Sequence, residues 1–323
     1  MTHQPLPILI GGTVAIDHVK TPTAEAANLL GGSAAYAAIA ASYFTTPVHL
    51  VGIIGKDFPL EHLALLESRG ITLDGLERST GDSFSWSGEY HANMNDRTTR
   101  QVDINVLENW SVKVPAAIAG ASVVVLANMA PENQIQMLDQ CSAARPFVVA
   151  DTMDLWIRIA NERLHDVLKR IDLLVINESE AREFVATSNL IVAGQRLLAK
   201  GPRFVVIKLG EFGAMLFGPS GDAASGTLTA ANFFRCAAFP LHEVADPTGA
   251  GDSFLGALAG FLAATGSKEF TFDEIRQAVV EGTVVASFTC EAFSTRRLQA
   301  ITRIDIDARL AFLKSITHWP GVQ

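Results

Sequence analysis

The sequence predicts an α/β protein, a doubly wound, mainly parallel sheet carrying a small β-sheet as a lid. Three observations predict it. Short apolar runs rich in β-branched residues recur along the chain, stretches of helical period lie between most of them, and two alternating segments break that rhythm. With 323 residues, 49% hydrophobic and 18% charged, the chain can bury a large core. At about 150 residues per domain, that length suits two domains or one large unit with an appendage. The element pattern is read as a single unit over residues 1–323, with lid strands inserted at about 15–28 and 83–106.

The runs Ile8 to Ile16, Val48 to Ile54, Ser122 to Leu126, Phe147 to Ala150, Leu173 to Ile176 and Phe204 to Leu209 read as buried strands. Between them, Pro131 to Ala144, Leu155 to Arg170 and Glu178 to Ala199 have helical patterns, the last broken near Ser188-Asn189. Such alternation implies right-handed crossovers and a sheet covered on both faces. Further helices are expected at Gly249 to Ala264, Phe272 to Thr289 and Asp305 to Ile316. Ser83 to Tyr90 alternates around Phe84, Trp86 and Tyr90. Arg100 to Val106 alternates through Val102, Ile104 and Val106, and the polar bend Asn93 to Asp96 lies between the two. These form an antiparallel ribbon, with Asp17 to Ala27 as a further strand, and the ribbon serves equally as a surface hairpin or as a ligand lid.

With 25 Lys and Arg against 34 Asp and Glu, the net charge is −9, which argues against broad nucleic-acid binding. Three scattered cysteines fit neither a disulfide framework nor a zinc site, and the eight histidines show no ligand spacing. Met1 to Pro7 does not read as a signal peptide, and no apolar run reaches membrane-spanning length, so a reducing cytoplasm and no membrane partner are expected.

The most informative stretch is Asp246-Pro247-Thr248-Gly249-Ala250-Gly251-Asp252-Ser253-Phe254, a loop running into an apolar helix. Gly249 and Gly251 leave the first helical turn open, so its N–H groups can meet an anion with help from the helix dipole. Asp252 stands beside that hole as a candidate base for a hydroxyl. A carboxylate in a first turn also simply stabilises a helix, but nine residues that add Asp246 and Thr248 as oxygen donors point to chemistry. The stretch is neither a phosphate-binding Walker loop, lacking Gly-Lys-Ser/Thr, nor a dinucleotide fingerprint, since Phe254 replaces the third glycine.

Asp246 to Phe254 resembles the C-terminal signature of the ribokinase-like (PfkB) sugar and nucleoside kinases. Four further segments extend the resemblance in the family's order: Gly31-Gly32-Ser33-Ala34-Ala35 before an Ala-rich helix, Val51 to Asp57, Asn177-Glu178-Ser179-Glu180, and Lys208-Leu209-Gly210-Glu211-Phe212-Gly213-Ala214. The resemblance implies a ribokinase-like fold and transfer of the γ-phosphoryl group of ATP to a primary hydroxyl. Asp252 would be the base, and the amides of Gly249, Ala250 and Gly251 would hold the transferring phosphate. Asn177 and Glu180 lie beyond a strand at a carboxyl edge where open sheets bind ligands. Glu180 suits Mg²⁺, which takes few carboxylates and keeps its waters. The turn from Lys208 through Gly210 to Gly213 would border the nucleotide. Asp246, Thr248 and Ser294 correspond to a stretch that surrounds a monovalent cation in relatives, which implies K⁺.

Asp17, Gly31 and Gly32 are the expected acceptor contacts, a carboxylate accepting from hydroxyls beside a backbone free to approach, although Asp17 would equally serve as a strand-end turn residue. Where relatives commonly offer an Asn to the sugar, this chain has Tyr36, and Tyr36 with Trp86 leans toward a ring-bearing ligand. The expected function is a sugar kinase. The alternatives are a nucleoside kinase of the same fold or a non-catalytic sugar or nucleotide sensor. A homodimer through the lid would follow the relatives. Asp151 to Asp154 ends a strand at the same edge without an assigned role, and Arg97, Arg100 and Arg158 are either lid or phosphate contacts or solvated surface charges.

Overall fold

A computed structural model describes residues 4–219 and 227–318. The start of the Met1 to Pro7 segment lies outside them. The chain enters through β1 (Ile8–Gly11), crosses to a second sheet as β2 (Ala15–Lys20) and β3 (Glu25–Gly31), and returns through α1 (Ser33–Ala41) to β4 (Val48–Ile54). Helix α2 (Leu60–Ser68) leads to β5 (Ile71–Arg78), after which β6 (Ser85–Tyr90) and β7 (Arg97–Asp103) join the second sheet. Strand–helix units follow: β8 (Val123–Leu126), α3 (Pro131–Gln140), β9 (Phe147–Asp151), α4 (Asp154–Ile159), α5 (Asn161–Leu168), β10 (Leu173–Asn177), α6 (Glu178–Phe184), α7 (Leu190–Leu198) and β11 (Phe204–Lys208). Strands β12 (Ala214–Phe217) and β13 (Phe233–Cys236) precede α8 (Ala250–Ala264), α9 (Phe272–Thr289), α10 (Arg296–Ala300) and α11 (Arg303–Thr317).

The main sheet runs β13-β12-β11-β10-β9-β8-β1-β4-β5. It is parallel from β11 to β5, and β12 and β13 add antiparallel pairs at one edge. Apolar residues that alternate along each strand feed separate cores. Ile8, Ile10, Val123 and Val125 join the core that also contains α1, α8 and α9 residues, whereas Leu9, Val124 and Leu126 join one with residues of α3, α5, α6 and α7. Strand β1 pairs with β4 on one side and β8 on the other, so the strand order reverses there. Such a switch point opens a crevice at the carboxyl ends of the strands.

Helix α8 is wedged against α1 and α9. A Cβ on Gly256 would come within 2.0 Å of the Ala37 carbonyl oxygen, one on Gly260 within 2.7 Å of the Ala41 Cα, and one on Gly282 of α9 within 2.8 Å of the Phe254 carbonyl oxygen. The small residues of all three helices therefore let backbone meet backbone, and fix where α8 begins.

Several sequence expectations change. The run Ile8 to Ile16 is not one strand: the chain breaks at Gly12-Thr13-Val14 to pass between sheets, held by Thr13 N–H donating to Ser33 Oγ (3.2 Å) and Ser33 N–H to Thr13 Oγ1 (3.0 Å). Asp17 to Ala27 contains parts of two strands, with a turn at Thr21 to Ala24 where Thr21 N–H donates to Ala24 O. The second lid segment begins at Arg97 rather than Arg100 and ends at Asp103. Leu155 to Arg170 divides at Ala160, whereas the expected break in Glu178 to Ala199 is present, with Asn189 capping α7. Strand β5 and helix α2 were not anticipated.

The second sheet has the order β3-β2-β6-β7, with β2 and β6 parallel and the other pairs antiparallel. Its buried Val19, Leu29 and Tyr90 pack with Ala26, Trp86, Met94 and Phe293. Among the described residues no helix is long and apolar enough to cross a membrane.

Candidate active site

Gly249 caps α8 with φ 76°, a left-handed conformation in which side chains are strained. A Cβ there would also meet the Tyr36 ring at 2.3 Å. Tyr36 is thus not set to stack on an acceptor: it is 2% exposed, with its ring under the glycine. Burial, with Asp17 and Asp246 close by, pushes its pKa well above the usual phenol range, so it remains neutral. The loop before α8 is tied down through Asp246, which is 0% exposed and accepts from Thr248 N–H (2.9 Å) and Ser294 N–H (3.1 Å). Ser294 adopts φ 56° and donates from Oγ to Leu30 O at 2.6 Å. Asp246, Thr248 and Ser294 are therefore brought together as the sequence implied.

The anion hole differs from the expected trio in one member. Ala250 N–H donates to Pro247 O at 3.2 Å, closing the turn, while Gly249, Gly251 and Asp252 N–H have no hydrogen-bond partner among the described residues. A first helical turn cannot supply internal acceptors, so those donors are open to an anion. Lys208 Nζ lies 2.8 Å from where a Cβ of Gly251 would stand. The glycine therefore makes room for an ammonium group at the hole.

Asp252 sits partly buried at this helix start. Burial raises its pKa, and Lys208 and Arg97 oppose the rise. Asp151, at the end of β9 and 5% exposed, is raised well above the carboxylate range by burial and by Asp252 and Glu180. Two carboxyls in one low-dielectric site do not both ionise readily. Burial and its carboxylate neighbours push Asp151 up furthest, whereas Lys208 and Arg97 draw Asp252 back toward the ionised form. Sequence reasoning left Asp151 without a role. Its only visible signal was its place at a strand's carboxyl end.

Glu180 forms a capping box with Asn177. Asn177 Oδ1 accepts from Glu180 N–H at 2.9 Å, and Glu180 Oε2 accepts from Asn177 N–H at 3.0 Å. The box fixes the Glu180 rotamer while the carboxyl remains 8% exposed, its pKa raised by burial and drawn back by Lys208. Asn177 and Lys208 are register partners on β10 and β11, so both motifs end at one edge. Beyond Lys208, Gly210 and Gly213 close a tight turn through Gly213 N–H to Gly210 O at 3.1 Å and Leu209 N–H to Gly213 O at 2.7 Å. A Cβ on Gly213 would reach 2.0 Å from Cys236 O, so this glycine serves strand packing.

Asp17 in β2 lies on Gly31, whose Cβ would fall 2.1 Å from the carboxyl. Burial, with Asp246 and Asp252 nearby, pushes its pKa up to about 8. Gly32 (φ 90°) would bring a Cβ to 2.4 Å from Thr13 O. Trp86 is Asp17's register partner on β6, and it packs with Val19, Leu29, Tyr90 and Phe293. The lid is docked on the loop by Thr248 Oγ1 donating to Tyr90 Oη at 3.1 Å.

Mg²⁺ is tested by the oxygens present. Asp151 Oδ1 is buried without a hydrogen-bond partner, and Glu180 is a second carboxylate close enough to act on it. Hard oxygen donors in small number fit Mg²⁺ with retained waters. Among the described residues, no group of three or more His, Cys, Asp or Glu side chains is placed to hold a metal alone.

Residues 17–301 match the sequence profile of the pfkB family of carbohydrate kinases. A cytidine kinase of Thermococcus kodakarensis is 27% identical over 263 residues, 80% of this chain and 88% of that protein. A nucleoside kinase of Methanocaldococcus jannaschii, an archaeal member of the ribokinase family, superposes with TM-score 0.73 at 16% identity, covering 96% of this chain and 99% of that one. An Escherichia coli protein with the provisional name ribokinase II, in complex with ATP and Mg²⁺, superposes with TM-score 0.75 at 16% identity, over 95% and 99%. The fold is ribokinase-like, a large mainly parallel sheet with a separate small lid. Glycine-framed amides beside a buried carboxylate, under such a lid, are what a phosphotransferase acting on an alcohol requires, and by its sequence this chain belongs to the pfkB family of carbohydrate kinases.

Proposed function

We propose that this chain transfers the γ-phosphoryl group of ATP to the primary hydroxyl of a nucleoside. The carrying observation is Trp86: the register partner of Asp17, it is half-buried at the edge of a cluster in which Val19, Leu29 and Tyr90 are packed away. Adjacent hydroxyls of a pentose can donate to Asp17, and the indole of Trp86 suits a planar base. The likeness to a cytidine kinase supports this reading. The sugar reading expected from the sequence is favoured by the family description, and a small sugar would use Asp17 while leaving Trp86 uncontacted.

ATP would lie toward Lys208, Gly210 and Asn177, with its terminal phosphate at the open amides of Gly249, Gly251 and Asp252. Asp252 takes the proton of the acceptor hydroxyl as its oxygen bonds to phosphorus and the bond to the ADP oxygen breaks. Lys208 neutralises charge on the phosphoryl oxygens, and the lid excludes water that would otherwise be phosphorylated. Mg²⁺, held through Glu180 and Asp151, would supply charge neutralisation between the nucleotide phosphates. Asp246, Thr248 and Ser294 form the corresponding place for K⁺, where a bound cation would stiffen the loop before α8.

ADP release should be measured over a panel of nucleosides and free sugars. We expect a pyrimidine or purine nucleoside to give the highest kcat/KM, and Trp86→Ala to raise its KM about 10-fold or more while changing a sugar's little. A free pentose or hexose outperforming every nucleoside would move the assignment to a sugar kinase.

A further inference from the structure

Helix α3 buries Pro131, Gln134, Ile135, Met137 and Leu138, the last three in a core shared with β8 and β9. Gln134 is the one polar side chain among these, and it is 1% exposed. An amide buried beside apolar neighbours costs free energy unless it is bonded, so what this one holds is informative. Its Nε2 lies 3.1 Å from Asp151 O, 3.3 Å from Leu126 O and 3.4 Å from Ala127 O. Those carbonyls stand where two parallel strands part. The ladder of β8 with β9 ends at the pair Leu126–Ala150, and Ala127 and Asp151 are the next residue on each side. Gln134 therefore joins the exits of β8 and β9 beyond their last strand pair.

Other bonds anchor the same place. Asn128, just past β8, donates from Nδ2 to Met153 Sδ at 3.2 Å, and its Oδ1 accepts from Trp156 Nε1 at 2.9 Å, so the exit of β8 also grips the segment after Asp151. Asn128 O accepts from Ser33 Oγ at 2.9 Å, which ties that exit to the turn after Gly31 and Gly32. Asp151 Oδ1, by contrast, is buried with no hydrogen-bond partner among the described residues, and so are Thr152 Oγ1 and Gln134 Oε1. Three open oxygens at one strand end fit a place completed by water or a hydrated ion. No side-chain bond aims Asp151 Oδ1. Its direction follows from the main chain that carries it, and Gln134 holds that main chain.

We infer that Gln134 is a positioning residue of the phosphoryl-transfer site: its amide fixes the strand end bearing Asp151, and so keeps the open oxygen of that carboxyl directed at the metal and the phosphates. This rests on the kinase reading above, in which Asp151 and Glu180 hold Mg²⁺. Gln134 touches neither substrate nor metal and exchanges no proton. A partner of this kind acts by removing the other orientations open to a ligand, and its loss costs about 10- to 100-fold in metal affinity or activity. Met at position 134 would have a similar length and fill the same space, but it donates nothing.

The test compares wild type with Gln134→Met, Gln134→Asn and, as a control on the same helix, Gln140→Met. Gln140 Nε2 donates to Val112 O at 2.8 Å, so the control loses a similar bond with no link to Asp151. ADP affinity is measured by calorimetry with and without Mg²⁺, and turnover over a range of Mg²⁺ concentrations. For Gln134→Met, the Mg²⁺ concentration giving half-maximal rate should rise about 10-fold or more, and the gain in ADP affinity on adding Mg²⁺ should shrink about fivefold or more, with metal-free ADP affinity within about twofold of wild type. Gln134→Asn keeps an amide one methylene short of the carbonyls and should fall between. Gln140→Met should keep the wild-type metal response even if its melting temperature drops, which a merely structural role for Gln134 would not distinguish. A Gln134→Met metal response within about threefold of wild type, or an equal loss in Gln140→Met, overturns the assignment and leaves the kinase reading intact. If Gln134→Met does not fold, Gln134→Asn decides by the same criteria, and failure of both to fold overturns the assignment in favour of a role in folding alone. A wild type that phosphorylates no acceptor overturns the kinase reading and this assignment with it, so the parent enzyme tells the two failures apart.

Discussion

The loop Asp246 to Gly251 and the hairpin of β6 and β7 meet at the Thr248–Tyr90 hydrogen bond, yet they are built in opposite ways. The loop is fixed from beneath. Asp246 has both carboxylate oxygens bonded to backbone N–H groups, Gly249 presses on the Tyr36 ring, and α8 behind it is wedged between two helices. The hairpin's outer strand is exposed along almost its whole length, and its ion pairs are surface pairs, which contribute little to stability. Phosphoryl transfer needs donors that do not reorganise, whereas an acceptor must enter and a product leave. Under the proposed function, the rigid wall would serve the chemical step and the exposed strand acceptor choice and closure.

That division can be broken by mutation. The largest effect is expected on the rigid side. Asp252→Asn should lower kcat at least about 10³-fold while leaving the melting temperature and nucleotide affinity near wild type, as read by steady-state kinetics with calorimetry. Retained turnover would remove Asp252 from proton transfer and, with it, the loop's claim to the chemistry.

Asp17 tests the boundary between the two regions, since it belongs to the lid sheet but feels the loop's carboxylates. Its pKa is raised to about 8 in the folded chain from 3.8. The folded state thus binds more protons than the unfolded state between those values, and the stability linked to the neutral carboxyl, full below about pH 4, is lost as pH rises through about 8. Asp17→Asn stays neutral, so its melting temperature should exceed that of wild type by several degrees at pH 8 and converge on it only below about pH 4. A difference independent of pH would show that Asp17 is not strained by burial.

The smallest effect is expected at the contact itself. Tyr90→Phe removes the acceptor of the Thr248 hydroxyl, worth about 1 kcal/mol, and should raise acceptor KM about fivefold with kcat little changed. A kcat loss as large as that of Asp252→Asn would mean that the hairpin orders the anion hole and that the division is false.

Much of the site was legible because its motifs are local. Asp252 follows its glycines within one helical turn, and Asn177 and Glu180 cap one helix at a spacing of three. The strands were legible for the same reason, since a buried parallel strand must be apolar on both faces. What failed was longer in reach. Nothing in the run Ile8 to Ile16 marks the passage between sheets, because the Thr13–Ser33 hydrogen bonds that turn the chain join residues 20 apart. Tyr36 read as a ligand contact because an aromatic after a glycine pair looks available, and only packing places Gly249 over its ring.

The sequence by itself determined the alternation of buried strands and helices through the middle of the chain, the open helix start and the presence of Asp252 beside it. These follow from periodicity and from residues that are neighbours in the chain. Tertiary structure decided which carboxyl burial raises most, which amide of the loop is closed by its own turn, and that the Tyr36 ring lies under Gly249. Those outcomes depend on burial and on charges brought together from distant strands, and both arise when the two sheets close around a common crevice.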